Sequence, residues 1–83
     1  MEDKIRQVLA EHGKLPVDLA ALSDEDDLYG AGMTSHASVN VMLALEDAFD
    51  VEFPDEMLRK STFASVSAIR DALATLGVAA LAD

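Results

Sequence analysis

The sequence lacks cysteine and tryptophan, and it contains only two prolines, four glycines and 5% aromatic residues. Without cysteine the chain has no disulfide, no thiolate metal site and no cysteine nucleophile, so any thiol chemistry needs a thiol from another molecule. The hydrophobic residues, 51% of the chain, are therefore mostly aliphatic. This composition favours packed helices over a β-sandwich.

Basic residues are also scarce. Six lysines and arginines stand against 16 aspartates and glutamates, which gives a net charge of −10. This charge disfavours nucleic acid and anionic membrane surfaces as partners. No apolar run approaches the roughly 18 residues of a spanning helix, and the first residues do not resemble a signal peptide. We therefore expect a cytoplasmic monomer with no membrane or nucleic-acid partner.

The chain length of 83 residues suits one small domain, which buries roughly 60% of the surface that its unfolded chain exposes. Apolar residues at helical spacing predict an all-α, four-helix bundle in residues 1–77, with a frayed tail over 78–83. The first helix is expected over 2–12, ending in a left-handed turn at Gly13. A long loop over 14–34 follows, pinned to the bundle by its leucines and with room for one short helical turn.

The second predicted helix is the longest and runs over residues 35–49, with Val39, Met42, Leu43 and the 45–49 segment facing inward. Pro54 fits the first position of a short third helix over 54–59. Ser61 or Thr62 is expected to cap a fourth helix over 63–76, which Gly77 ends.

The acidic run over residues 24–27 matches a calcium-binding EF-hand loop only in part. Asp24 and Asp26 fit, but Leu28 occupies a ligand position, Tyr29 replaces the required glycine and Ser35 replaces the final glutamate. His12 and His36 have no ligand-spaced partner. The sequence therefore predicts a solvated acidic loop and no metal site.

Ser35 follows a glycine-rich turn and opens the long second helix. Backbone N–H groups without partners and the positive end of the helix dipole favour an anionic group at that position. A phosphate ester on this hydroxyl is therefore electrostatically favoured. The end of the same helix and the following loop carry six acids with no intervening base: Glu46, Asp47, Asp50, Glu52, Asp55 and Glu56.

These features together resemble the acyl carrier protein family over nearly the whole chain. The stretch Gly32-Met33-Thr34-Ser35 is similar to the family's Gly-x-Asp-Ser attachment site. Further similarities are Val39, the 42–47 segment, Phe49 and the 53–56 segment. The resemblance implies a carrier and not an enzyme. It implies a 4′-phosphopantetheine arm from coenzyme A on Ser35, flanked by Gly32, Met33, Thr34 and His36, with an acyl or aminoacyl group held as a thioester.

The resemblance also implies the partners. They are a phosphopantetheinyl transferase, a loading ligase or acyltransferase, and downstream enzymes with basic surfaces that dock on Asn40 and the six acids. Thr34 departs from the family's aspartate, His36 from its leucine, and Ala37 and Asn40 stand where acids are common. These departures favour a specialised pathway over standard fatty acid synthesis and leave an aminoacyl or a fatty cargo open.

Two other functions compete with a carrier. A hydrolase would use Ser35 with His36 or His12, but neighbouring helical residues point about 100° apart and no second glycine follows the serine. An acidic helical adaptor would bind a basic partner through the six acids without a covalent arm. Intact mass after treatment with coenzyme A and a transferase separates the adaptor from the carrier.

Overall fold

The computed structural model describes residues 2–16 and 18–77, and these residues form an all-helical fold without strands. Three α-helices, α1 (Glu2–His12), α2 (Ser35–Phe49) and α3 (Val66–Thr75), are joined by segments that contain three 3₁₀ turns, at Leu19–Ala21, Asp55–Met57 and Lys60–Phe63. The all-α prediction is confirmed, but the count of four helices is not. The predicted frayed tail lies outside the described residues.

Helix α1 has the predicted bounds and packs Ile5, Val8 and Leu9 into the core. Its termination differs from the prediction, because the left-handed residue is Lys14 (φ 51°) and not Gly13. The N–H of Gly13 still donates to the carbonyl of Leu9 (2.8 Å). A Cβ at position 13 would lie 2.7 Å from that oxygen, so the close approach, and not a positive φ, requires glycine here.

Helix α2 also has the predicted bounds, and Asp50 ends it in a left-handed conformation (φ 53°). Its buried stripe is Ala37, Val41 and Leu45, at i, i+4 and i+8. Val39 and Leu43 are 50% and 54% exposed, so the prediction that they face inward is wrong. Each stands two residues from the stripe, about 200° around the helix.

The third predicted helix is a single 3₁₀ turn, and Pro54 lies before it at the capping position. The fourth predicted helix is interrupted: the Lys60–Phe63 turn precedes α3, which begins only at Val66. The cap of α3 is Ser65, whose Oγ accepts from the N–H of Ala68 (3.0 Å), and not Ser61 or Thr62. Gly77, at φ 91°, follows the helix end as predicted.

The loop between α1 and α2 is fixed by contacts distant in sequence. Leu28 is fully buried, and its N–H donates to the carbonyl of Ala64 (2.7 Å). The N–H of Ser67 donates to the carbonyl of Asp24 (2.9 Å). Leucines 15, 19 and 22 pack against the core, as expected. The loop that leads to Ser35 is therefore held against the start of α3.

The acidic run within this loop is solvated, with Glu25, Asp26 and Asp27 exposed, and each of its four carboxylates also accepts a hydrogen bond. Asp24 accepts from the guanidinium of Arg6 (2.7 Å), and Glu25 accepts from the hydroxyl of Ser67 (2.9 Å). Asp26 and Asp27 accept from backbone N–H groups inside the loop. These acids stabilise the loop conformation. Among the described residues, no helix is long and apolar enough to cross a membrane.

Candidate functional site

Ser35 is the first residue of α2, and its side chain is exposed. Within the part of the chain that the structure describes, its hydroxyl has no hydrogen-bond partner. The hydroxyl therefore lies free at the helix N-terminus, where an anionic substituent is electrostatically favoured.

Thr34 caps the helix that carries this serine. Its backbone is extended (φ −82°, ψ 162°), and its Oγ1 accepts from the N–H of Ala37 (3.0 Å). Its carbonyl accepts from the N–H of Ser38 (3.0 Å), and the Ser38 hydroxyl donates to the carbonyl of Ser35 (2.7 Å). The first turn is thus fixed from both sides. The threonine hydroxyl supplies the cap that an aspartate at this position would supply.

The residues before Thr34 set the direction in which the chain enters the helix. Gly32 has φ 121°, and a Cβ there would lie 2.6 Å from the Cδ of Pro16. Both the backbone conformation and the close approach of Pro16 require glycine. Met33 is buried, and its N–H donates to the carbonyl of Leu28 (3.0 Å). His36, by contrast, is exposed on the first turn of α2.

Ser35 opens onto a groove of about 330 Å³ between α2 and the Lys60–Phe63 turn. The α2 side provides Ser38, Val39 and Met42, and the opposite side provides Leu58, Arg59 and Phe63. Tyr29 and Lys60 complete the wall, with the ammonium of Lys60 4.7 Å from the centre of the Tyr29 ring. The groove is a largely apolar channel that contains the free hydroxyl of Ser35 and two cations.

Three of these groove residues, Tyr29, Arg59 and Lys60, were missed by the sequence reasoning. The available signal was two consecutive bases in a chain that has only six. The position of Arg59 and Lys60 beside Ser35 depends on the segment after Pro54, which was predicted as a short helix over 54–59 followed by a helix cap and instead forms two 3₁₀ turns.

The residues predicted to bind partners differ in exposure and do not all lie on one surface. Asn40 and Asp47 line a second groove of about 490 Å³ between α1 and α2, which also contains His12. Glu46 is half-buried, and its Oε2 accepts from the N–H of Phe53 (2.8 Å), so it holds the following loop. The other acids of the predicted patch, Asp50, Glu52, Asp55 and Glu56, are exposed.

Nothing in the described geometry makes Ser35 a nucleophile. Its hydroxyl contacts neither histidine, and His12 lines the other groove. Across residues 2–16 and 18–77, no group of three or more histidines, aspartates or glutamates is arranged to hold a metal ion.

Comparison with known proteins agrees with this geometry. The family model described as "Phosphopantetheine attachment site" matches residues 3–73. The aminoacyl carrier protein of Agrobacterium fabrum (strain C58) is 51% identical over 71 residues, which make up 86% of this chain and 86% of that protein.

Two solved structures show carrier proteins of the same fold bound to an enzyme. One is a carrier protein from Agrobacterium tumefaciens, bound to an engineered Bradyrhizobium japonicum glycine:[carrier protein] ligase and AMP. Its sequence is 49% identical to this chain and its structure matches with a TM-score of 0.87, over 89% of this chain and 99% of that chain. A glycylated carrier protein bound to the B. japonicum ligase is 27% identical with a TM-score of 0.70, covering 86% and 95%. The resemblance predicted from the sequence is confirmed. The chain belongs to the carrier proteins with a phosphopantetheine attachment site, which hold a group on that arm and are not themselves enzymes.

Proposed function

We propose that this protein carries an amino acid, with glycine as the first candidate, as a thioester on an arm attached to Ser35. The observation that carries the proposal is the free, exposed hydroxyl of Ser35 at the capped N-terminus of α2. It lies inside the segment that matches the attachment-site family. Gly32, Met33, Thr34 and His36 form its flanking motif, within a carrier domain over residues 1–77.

The residues around Ser35 fit the phosphopantetheine group. When bound, that group supplies the thiol that the chain lacks. The capped turn of α2 offers unpartnered N–H groups to the phosphate, and the groove offers Val39 and Met42 to the less polar chain that follows. Thr34 and Ser38 fix this turn by hydrogen bonds, so the attachment point is rigid even though the arm itself is long and flexible.

An amino acid is favoured over a fatty chain by relatives and by packing. The A. fabrum relative is an aminoacyl carrier, and a carrier with the same fold is glycylated in its complex. A long acyl chain needs an opening between the helices, whereas the core side chains of Leu9, Val41 and Leu45 are completely buried. A short, charged aminoacyl group is expected to remain outside this core.

The proposed partners follow from the same relatives. A loading ligase of the glycine:[carrier protein] type would charge the arm after a phosphopantetheinyl transferase has attached it. A complex of a related carrier with this ligase contains ATP, and we propose that ATP drives the charging step here too. We also expect the protein to be cytoplasmic. We expect the carrier to be monomeric and the pathway to be specialised. The adaptor alternative, which lacks an arm, is not favoured by the family match.

Docking is proposed to use the exposed acids of α2 and the following loop, of which Asp47 is the best test because Glu46 also supports the fold. Opposite charges raise the rate of encounter, and salt screens them. Replacing Asp47 by lysine should slow ligase association at low salt, with the difference shrinking as salt is added. An unchanged association rate would remove this acid from the docking surface.

The test of the attachment site is intact mass. The protein is incubated with coenzyme A and a phosphopantetheinyl transferase, followed by ligase, ATP and glycine. Wild type should gain the mass of one arm and then of one glycyl group. Ser35→Ala should gain neither, while Ser61→Ala, a control at another exposed serine, should behave as wild type. A wild-type chain left bare by several types of transferase, or a modified Ser35→Ala chain, would refute the proposal.

The choice of cargo is tested separately by NMR of the loaded protein. Amino acids should leave the methyl signals of buried leucines and valines unchanged, because the cargo stays outside the core. Perturbation of these signals by long acyl chains, but not by amino acids, would reverse the choice and indicate an acyl carrier.

A further inference from the structure

Arg59 and Lys60 differ from the two other arginines of the chain, which form ion pairs. Arg6 is paired with Asp24 (2.7 Å), and Arg70 is paired with Glu2 (2.9 Å). In the described ranges, neither Arg59 nor Lys60 has a carboxylate within ion-pair distance. Lys4 and Lys14 also have no carboxylate within that distance in the described ranges, but they lie away from the groove that contains Ser35.

Both cations are held at the groove that contains Ser35. The ammonium of Lys60 lies 4.7 Å from the centre of the Tyr29 ring. This cation–π contact holds the Lys60 side chain against the loop between α1 and α2, which leads to Ser35. The turn that carries Lys60 is anchored by Phe63, which is buried and packs edge-on against Phe53 with ring centres 5.3 Å apart. Core packing therefore determines where this pair stands.

Two unpaired cations beside a free hydroxyl make a site for an anion. Arginine binds phosphate oxygens through its planar fork of donors, and lysine does so as a point charge. An anion attached to Ser35 would lie in the same groove as the cations, and such tethering gives it a high effective concentration there. No acidic residue of the described chain takes this place.

We propose that Arg59 and Lys60 bind the phosphodiester that joins the arm to Ser35. Binding directs the first part of the arm along the groove, over Val39 and Met42. The inference rests on the proposed function, because it requires an arm on Ser35. It adds a phosphate-binding subsite on the segment after Pro54, outside the attachment motif.

The experiment compares three proteins that have first been converted to the arm-bearing form and checked by intact mass. They are wild type, Arg59→Gln/Lys60→Gln, and the control Lys4→Gln/Lys14→Gln, which removes the same charge away from the groove. Lys4 lies over Phe49, and Lys14 lines the groove between α1 and α2. The readouts are the ³¹P chemical shift of the arm and the ¹⁵N order parameter of its amide nearest the phosphate.

In wild type and in the Lys4/Lys14 control, the ³¹P shift should move with added salt, because ions compete for the cations. In Arg59→Gln/Lys60→Gln, the shift should already stand at the high-salt position and respond little to salt. The order parameter of the amide should fall in this variant toward the values below about 0.6 that mark flexible segments.

Equal ³¹P shifts and equal order parameters in all three proteins would overturn the inference. So would an unchanged arm combined with slower glycylation of Arg59→Gln/Lys60→Gln, since the pair would then contact the partner enzyme. Both outcomes leave the proposed function intact. Only the absence of the arm in the mass check on wild type would contradict that function itself.

Discussion

At the scale of single residues, Thr34 shows how a departure from the family's pattern is accommodated. The aspartate usual before the attachment serine is replaced, yet the hydroxyl still accepts the N–H of Ala37 at 3.0 Å. Capping needs one oxygen within reach of the first turn, and threonine provides it. The position of Ser35 is therefore kept, while the negative charge of aspartate is lost.

Replacing Thr34 by alanine should remove this cap and lower the free energy of unfolding by about 1 kcal/mol, as measured by urea denaturation. Thr34→Asp should preserve it, because a carboxylate accepts the same hydrogen bond and also interacts favourably with the helix dipole. If the alanine variant were as stable as wild type, the capping contact would not contribute to the fold.

At the scale of elements, the sequence predicted α1 and α2 to the residue and mispredicted the segment between α2 and α3. The first two helices carry their own signals: an apolar stripe in each, a glycine after α1 and a capping hydroxyl before α2. Residues 55–65 do not. Their course is set by long-range contacts, such as the N–H of Leu28 with the carbonyl of Ala64 and the packing of Phe63 on Phe53.

The candidate site was likewise predictable only where its residues are close in sequence. Ser35 and its capping motif are contiguous, so their spacing in the chain revealed them. Tyr29 and Lys60 are brought together only by the folded loop, and no local pattern reports their contact. The part of the proposed site that the sequence did not predict is therefore the part assembled from two elements.

Glu46 links α2 to the segment that follows it, through the hydrogen bond that its carboxylate accepts from the N–H of Phe53. Glu46→Ala should lower the free energy of unfolding by about 1–3 kcal/mol, since the N–H of Phe53 loses its acceptor. Glu46→Gln retains a carbonyl oxygen that can accept, and should be closer to wild type. Chemical denaturation measures both.

Asp47→Ala serves as the matched control. Asp47 is exposed and next in sequence, so its removal should change stability by no more than about 0.5 kcal/mol. Equal losses for Glu46→Ala and Asp47→Ala would show that general charge effects, and not the hydrogen bond, support the loop.

At the scale of the whole molecule, one ion pair connects the beginning and the end of the described fold. Arg70 on α3 donates to Glu2 on α1 (2.9 Å). This hydrogen bond is the main cause of a lowered pKa for Glu2 and a raised pKa for Arg70. The contact therefore favours the ionised glutamate in the folded chain.

A lowered pKa of Glu2 in the folded state means that the contribution is complete above the pKa of the unfolded chain and is lost as the pH falls through the lowered value. Wild type should therefore melt at a higher temperature than Glu2→Gln at neutral pH, and the difference should vanish in acid. Glu56→Gln, an exposed acid, is the control. A difference that persists well below pH 4 would show that the charge of Glu2 is not its source.

The net charge of −10 should also make stability depend on salt. Sodium chloride should raise the melting temperature gradually as it screens repulsion among the acids. Magnesium should do so without saturating at low millimolar concentration, since no metal-binding group was found among the described residues. A saturable rise with magnesium in differential scanning calorimetry would reveal a specific site.

The hydrogen bonds from Leu28 to Ala64 and from Ser67 to Asp24 have a consequence for the order of events during synthesis. A nascent chain that has not yet emerged from the ribosome as far as position 67 lacks the partners that hold the loop before Ser35. Ser35 can then be translated long before it is correctly presented. A transferase that recognises the folded turn would act only after these partners have emerged and bound the loop, and the arm would mark chains that have reached this folded state.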